Sequence, residues 1–442
     1  MNSIRLRTMR FPIERLFISL SVRDFRWLWA NNVFFSLGIG IEMLAQGWLA
    51  LELTNSAFWV GAVAGVRGIG MVGFGALGGV IADRVNRRNF LIVLQISRGT
   101  AALVLGLLII TGNVQLWHVL AIAAYQGIGQ AMTIPVGNAL IFDTVGRDLL
   151  LNAVAARNTS FNISRIISGV VFGALFATFG LGYCYLAVAA FTTAGSMALV
   201  FMRVGKRATE TTDSIWKDLA DGFSYAFRNQ TVRALLLLSV LIEGFGFSHM
   251  VLLPVIARDV LLVGPTGLGW LATAGGVGAI IGTLGVAGLG NYRRKGRIIA
   301  LSALVGAGSL ILFANAPWFA VSLALVGVLN AMLFSFDVTL GAVLQLIVPD
   351  AMRGRIIGLY SLTWGFTPVG GFLSGSIASA MGAPFALSIG AFTILGYVVM
   401  NYRILGRIRD TEAAVGPGDE AAPGPDDTGE LSQDPKTMEA TP

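Results

Sequence analysis

Glu42, Glu243 and Asp337 each interrupt a long apolar run, and Asp337 lies in the strongly apolar setting Leu333-Phe334-Ser335-Phe336-Asp337. Arg67, Arg98 and Arg165 do the same, together with the uncharged Gln46 and with His249. The chemistry open to such groups is reversible proton binding and the placement of charge. Burial disfavours the ionised form of a carboxyl, so a buried one can take up and release a proton near neutral pH. An ionised side chain at the centre of a bilayer costs about 2.5–3.5 kcal/mol even on the lenient insertion scale. Packing alone does not offset that, so these residues are expected to face a bundle interior or to pair with one another. Asp337 and Glu42 are the first candidates for proton coupling, with Glu243 beside them.

Each residue also has a plainer role open to it. Arg98 lies ten residues beyond Arg88, about 15 Å of helix, so an internal ion pair would account for it. Arg165 has the same structural alternative. His249 could be a hydrogen-bonded interior histidine rather than a proton carrier. Phe34, Phe35, Trp48, Tyr125, Phe245, Phe247, Phe334, Phe336 and Trp364 could line an apolar cavity, or be lipid-facing or core. No nucleophile–base constellation suggests an enzyme, and no Gly-x-x-x-x-Gly-Lys-Ser/Thr loop suggests an ATP-driven pump. Cys184 is the only cysteine, which excludes an internal disulfide, and His118 and His249 form no local metal motif. No cofactor is expected.

The elements that must position these groups are membrane helices. Of 442 residues, 55% are hydrophobic and only 12% charged, against about 25% charged in a soluble domain. A bilayer core needs about 20 apolar residues per helix. Twelve candidate spans follow, at about 27–53, 57–82, 89–111, 115–141, 158–179, 182–202, 233–257, 267–290, 298–314, 317–346, 356–380 and 383–405. The fold class is therefore an all-α membrane protein with twelve transmembrane helices. A net charge of +7 could suggest nucleic acid, but the basic residues sit between apolar runs, where the positive-inside rule explains them.

The charges orient the spans. Arg5, Arg7, Arg10, Arg15, Arg23 and Arg26 precede the first. Arg84, Arg87 and Arg88 follow the second, Arg147 and Arg157 the fourth, and Lys206, Arg207, Lys217 and Arg228 the sixth. Arg293, Arg294, Lys295 and Arg297 follow the eighth, and Arg353 and Arg355 the tenth. Arg258 is the one basic residue of the opposite loops. Both termini are thus expected in the cytoplasm. Residues 1–26 are basic and only patchily apolar, unlike a cleavable signal peptide.

The chain also repeats. Val145-Gly146-Arg147 is echoed by Val348-Pro349-Asp350, 203 residues later. Residues 27–203 and 233–405 then form two six-helix bundles. The linker, 204–232, contains Ile215, Trp216, Leu219, Phe223 and Phe227 at helical spacing, which suits a membrane-surface helix or one packed on the bundle ends. The segment 406–442 is acidic, rich in Gly and Pro, and expected to be disordered.

Gly79-Val80-Ile81-Ala82-Asp83-Arg84-Val85-Asn86-Arg87-Arg88 resembles the loop between the second and third helices of the major facilitator superfamily, with Asn86 where Gly is usual. Asn also tolerates the left-handed backbone that a tight turn there could need. Gly127-x-Gly129 through Pro135 to Asn138, and Val348-Pro349-Asp350-Ala351-Met352-Arg353-Gly354-Arg355, resemble the bacterial branch of enterobactin exporters and multidrug efflux proteins. The resemblance implies two pseudo-symmetric bundles in the bacterial cytoplasmic membrane, with the first, fourth, seventh and tenth spans lining the cavity. It implies export of a small molecule from the cytoplasm, often against inward proton flow. It makes Gly79, Asp83, Arg84, Arg87 and Arg88 a gating loop. Gln46, Arg67, Arg98, Arg165 and His249, as polar residues within apolar runs, are the expected substrate-cavity residues. Gly169-x-x-x-Gly173 lacks the proline of the antiporter motif, and close packing explains it as well. The expected partners are a small-molecule substrate, protons and lipid, with a monomer and no nucleic acid. An exporter of an anionic metabolite such as a siderophore, its anion balanced by arginines, and a non-transporting membrane sensor are the alternatives.

Overall fold

The computed structural model describes residues 18–203, 215–289 and 294–406. The side chains of 76–80, 82–83 and 215–219 lie outside that description. So do the basic N-terminus to residue 17, most of the linker, Arg293, and the acidic segment from 407.

Every regular element among the described residues is helical. A backbone crossing lipid must satisfy its own N–H and C=O groups, and helices do so locally. The elements are α1 (Arg23–Thr54), α2 (Ala57–Arg84), α3 (Arg87–Ile110), α4 (Leu116–Phe179), α5 (Leu181–Val200) and α6 (Ile215–Arg228). The second half holds α7 (Gln230–Leu241), α8 (Ser248–Val255), α9 (Gly264–Gly288), α10 (Lys295–Asn315), α11 (Phe319–Ile347), α12 (Asp350–Thr363), α13 (Phe366–Met381) and α14 (Ala383–Met400). Eleven helical stretches among the described residues are long and apolar enough to cross a membrane.

The expected loop between the fourth and fifth spans is not a loop. Residues 142–157 are helical, within the 64-residue α4. A straight helix of that length would run roughly 96 Å, far beyond a bilayer. The break is Gly146 alone, at φ 69° and ψ −172°, a conformation only glycine adopts cheaply. Pro349, its counterpart in the repeat, caps α12 from outside the helix. Gly180 and Gly382, 202 residues apart, carry φ of 88° and 89° and start α5 and α14. The two halves thus repeat in local geometry as well as in sequence.

The seventh span is not a plain helix. Two π-turns, Ile242–Gly246 and Ile256–Val260, flank α8. Asn86 corrects another expectation. Its φ is −68° and ψ 102°, not left-handed, and its side chain accepts from the Asn89 N–H as the N-cap of α3. In the linker, α6 packs on α12. A Cβ at Gly222 would lie 3.3 Å from Leu359, and Asp221 pairs with Arg355 at 3.3 Å. Phe223 and Phe227 stay exposed.

Candidate functional site

A cavity of about 730 Å³ lies between the two halves. Its walls come from α1, α3 and α4 on one side and from α9, α11 and α12 on the other. Phe25, Leu91, Ile141 and Gln345 carry it toward the end where the basic loops lie. At the opposite end the halves are sealed by small residues. A Cβ on Gly61 of α2 would lie 2.8 Å from the Gly371 carbonyl of α13, and one on Gly375 would lie 2.8 Å from the Gly61 Cα. Gly169 and Gly173 of α4 pack on Gly269 of α9 in the same way. That motif therefore packs helices of opposite halves. Arg258 bridges the same end, donating to the Leu51 carbonyl and to Asn55 Oδ1, each at 3.0 Å.

The candidate charges fall into two groups. In the first half, Glu42 is fully buried in α1. Arg98 of α3 donates to its Oε2 through both Nε and Nη2, and Gln126 of α4 donates to Oε1. Arg98 also stands 5.3 Å over the Phe35 ring. Arg67 of α2 donates to Gln130 Oε1 at 2.6 Å. None of Glu42, Gln46, Arg67 and Arg98 lines the large cavity. They lie behind its wall, which Phe35, Gln95 and Gln130 complete.

In the second half the charge is negative. Asp337 of α11 lines the cavity and is approached by the Tyr360 hydroxyl, 3.1 Å from its carbonyl oxygen and 3.5 Å from Oδ1. Glu243 sits behind it in the first π-turn, buried, and accepts from Thr367 Oγ1 at 2.5 Å. Among the described residues neither carboxylate forms an ion pair. The π-turn is pressed into place by α13, since a Cβ on Gly370 would overlap the Gly244 carbonyl. Such turns often mark functional positions in helices.

His249 is satisfied in place. Its Nδ1 lies 2.7 Å from the Gly246 carbonyl, and its Nε2 lies 3.1 Å from Asn330 Nδ2. A carbonyl only accepts and an amide nitrogen only donates, so the ring is neutral with its proton on Nδ1. His249 does not line the cavity. Arg165 stands 4.9 Å over Phe334, whose ring lines the cavity, and has no carboxylate partner among the described residues.

The loop residues act at the basic end. Arg87 pairs with Asp143 of α4 at 2.6 Å, both side chains nearly buried. Arg88 donates to the Leu199 and Val200 carbonyls at 2.8 and 2.5 Å, closing the C-terminus of α5. Arg84 is exposed. Gly79 and Asp83 belong to α2, and their side chains lie outside the description.

The aromatics divide too. Phe35, Phe334 and Trp364 line the cavity, whereas Phe34 packs on Phe191, Trp48 on Phe176, and Phe336 is core. Sequence reasoning passes over Asn31, Asn32, Gln95, Gln130, Arg157 and Tyr360, all of which meet the cavity or its mouth. Asparagines and glutamines inside apolar runs are the available signal.

Residues 16–433 match the family model described as transmembrane secretion effector, a branch of the major facilitator superfamily. The chain belongs to this family. It is thus a multi-pass membrane protein of the transporter class. It is similar to the multidrug efflux pump Tap of Mycolicibacterium fortuitum, 25% identical over 396 residues, covering 86% of this chain and 95% of that one. It is similar to the enterobactin exporter EntS of Escherichia coli O1:K1, 27% identical over 377 residues, covering 84% and 88%. In fold it matches a point mutant of the nucleoside transporter NupG at a TM-score of 0.72, with 16% identity over 86% of this chain and 100% of that one. It also matches a bacterial homologue of the human lysosomal transporter Spinster, inward-facing and unoccupied, at 0.68, with 14% identity over 89% and 98%. The two relatives are by name an efflux pump and an exporter, and the facilitator fold expected from the sequence is the fold found.

Proposed function

We propose that this chain exports an amphipathic small molecule from the cytoplasm by alternating access, driven by proton antiport. The observation that carries this reading is the placement of Asp337. It is an intramembrane carboxylate on the wall of an inter-half cavity, with no cation in an ion pair with it or with Glu243 among the described residues. Protons and substrate would reach Asp337 through the same cavity, which is the condition for exchange. On sequence Glu42 is an equal candidate. Its bonds to Arg98 and Gln126 support a role as an internal brace.

In this reading α4 crosses the membrane twice, once on each side of Gly146, which makes twelve spans in two bundles. The basic loops and both termini face the cytoplasm, so the cavity opens inward. Arg87 and Arg88 hold the ends of α3, α4 and α5 together and move as part of the gate with Gly79, Asp83 and Arg84. One chain encloses the cavity, so a monomer suffices. Export is supported by the names of Tap and EntS. A second reading, export of an anionic metabolite, is favoured by Arg157, which lines the cavity without a carboxylate partner among the described residues.

The test is uptake of fluorescent dyes into proteoliposomes, with the basic-loop side outward and a pH gradient imposed. Wild type should accumulate dye only with the gradient. Asp337→Asn and Glu243→Gln should lose the gradient-driven part. Full accumulation in both variants would sink the antiport reading.

A further inference from the structure

The repeat makes a comparison across the cavity possible. Arg157 and Tyr360 are 203 residues apart, the same offset that relates Gly146 to Pro349. Each stands eleven residues beyond its half's helix break, about 16 Å along the helix, so the two reach the same depth from opposite sides. Each bonds back to the preceding span of its own half. Arg157 donates to Asn138 Oδ1, and Tyr360 donates to Asp337. One turn further on, Phe161 and Trp364 are equivalent again, and both line the cavity. The walls are therefore alike in position and aromatic character but opposite in charge. The first half presents a guanidinium held by a neutral amide. The second presents a carboxylate with a neutral phenol 3.5 Å from its Oδ1 and bonded to the backbone carbonyl of the same residue. Among the described residues neither charge has a counter-ion.

In a low-dielectric cavity each unpaired charge favours an opposite charge on the ligand and disfavours a like one. A lipophilic cation would suit Asp337 but meet the field of Arg157. An anion would have the reverse problem. A molecule bearing both charges satisfies both walls, and an aromatic body fits between Phe161 and Trp364. The volume lies within the range of drug-sized sites, about 300–1,000 Å³. We propose that the cavity selects an aromatic zwitterion, its cationic end at Asp337 and its anionic end at Arg157. This rests on the exporter reading only in taking the cavity as the substrate site.

The test is equilibrium binding to the purified full chain in detergent, followed by fluorescence polarisation. It needs neither gradient nor transport, so a failure of proton coupling leaves it intact. The probes are a cationic rhodamine ester, its zwitterionic free acid, and fluorescein as the anionic relative. The free acid should bind at least about tenfold more tightly than either of the others, a gap of roughly 1.4 kcal/mol. Arg157→Gln should bring the free acid down to the level of the ester. Asp337→Asn should bring it down to the level of fluorescein. An ester that binds wild type as tightly as the free acid would overturn the proposal. So would a preference unchanged in Arg157→Gln, or no binding of any of the three dyes.

Discussion

At the scale of residues, the distinction that matters is between charges that are matched and charges that are left open. Glu42 and Arg98 are buried together, with Gln126 completing the carboxylate's shell. Removing one partner of a buried pair leaves the other uncompensated and typically costs about 3–5 kcal/mol, whereas replacing both by apolar groups is often nearly neutral. Arg98→Met should therefore lower the unfolding midpoint of the purified protein strongly. Adding Glu42→Leu should restore most of it. Thermal unfolding followed by tryptophan fluorescence checks this, and a double variant as unstable as the single one would contradict it. All three carboxylates stand out in the sequence, because an acid in an apolar run is visible by itself. Sequence does not separate Glu42 from Asp337. The partner that sets Glu42 apart is 56 residues away on another helix, and spacing along one helix carries no trace of that. His249 is ambiguous for the same reason, since Asn330 arrives from α11.

At the scale of elements, hydropathy locates the spans well because the solvent imposes it. It misses the features that depend on backbone geometry. A π-turn has the same apolar composition as an α-turn, so the two in the seventh span leave no pattern. The one-residue break at Gly146 reads as a loop because charged residues cluster around it. The π-turn that carries Glu243 depends on contact with Gly370 of α13. Gly370→Val should push that turn away and leave little monodisperse protein. Gly285→Val, on α9 where a Cβ meets nothing within 4 Å, should behave as wild type. Size-exclusion profiles of the two variants decide it, and equal yields would show that the close approach is not required.

At the scale of the whole molecule, the two halves meet through glycines at one end and part around the cavity at the other. Both halves are legible from the offset of 203 residues. The opposite charge of their facing walls is not, because it emerges only when Arg157 and Asp337 are placed across a shared space. Alternating access requires the glycine seal to open and reform. Gly375→Leu would place a branched side chain against Gly61 and hold that end apart. Spin labels at Glu52 and Met381, exposed positions on the two halves near that end, should then report a longer separation than in the parent protein, and dye flux should stop. An unchanged distance with flux intact would mean that this seal is not part of the cycle.

The claim that joins these scales is that substrate and proton compete for Asp337. It is tested most directly by adding the zwitterionic dye to purified protein in a weakly buffered solution near neutral pH and recording proton release. The account predicts release in proportion to dye bound, and none from Asp337→Asn at dye concentrations that saturate that variant. Saturable binding to the wild type with no proton released would contradict it.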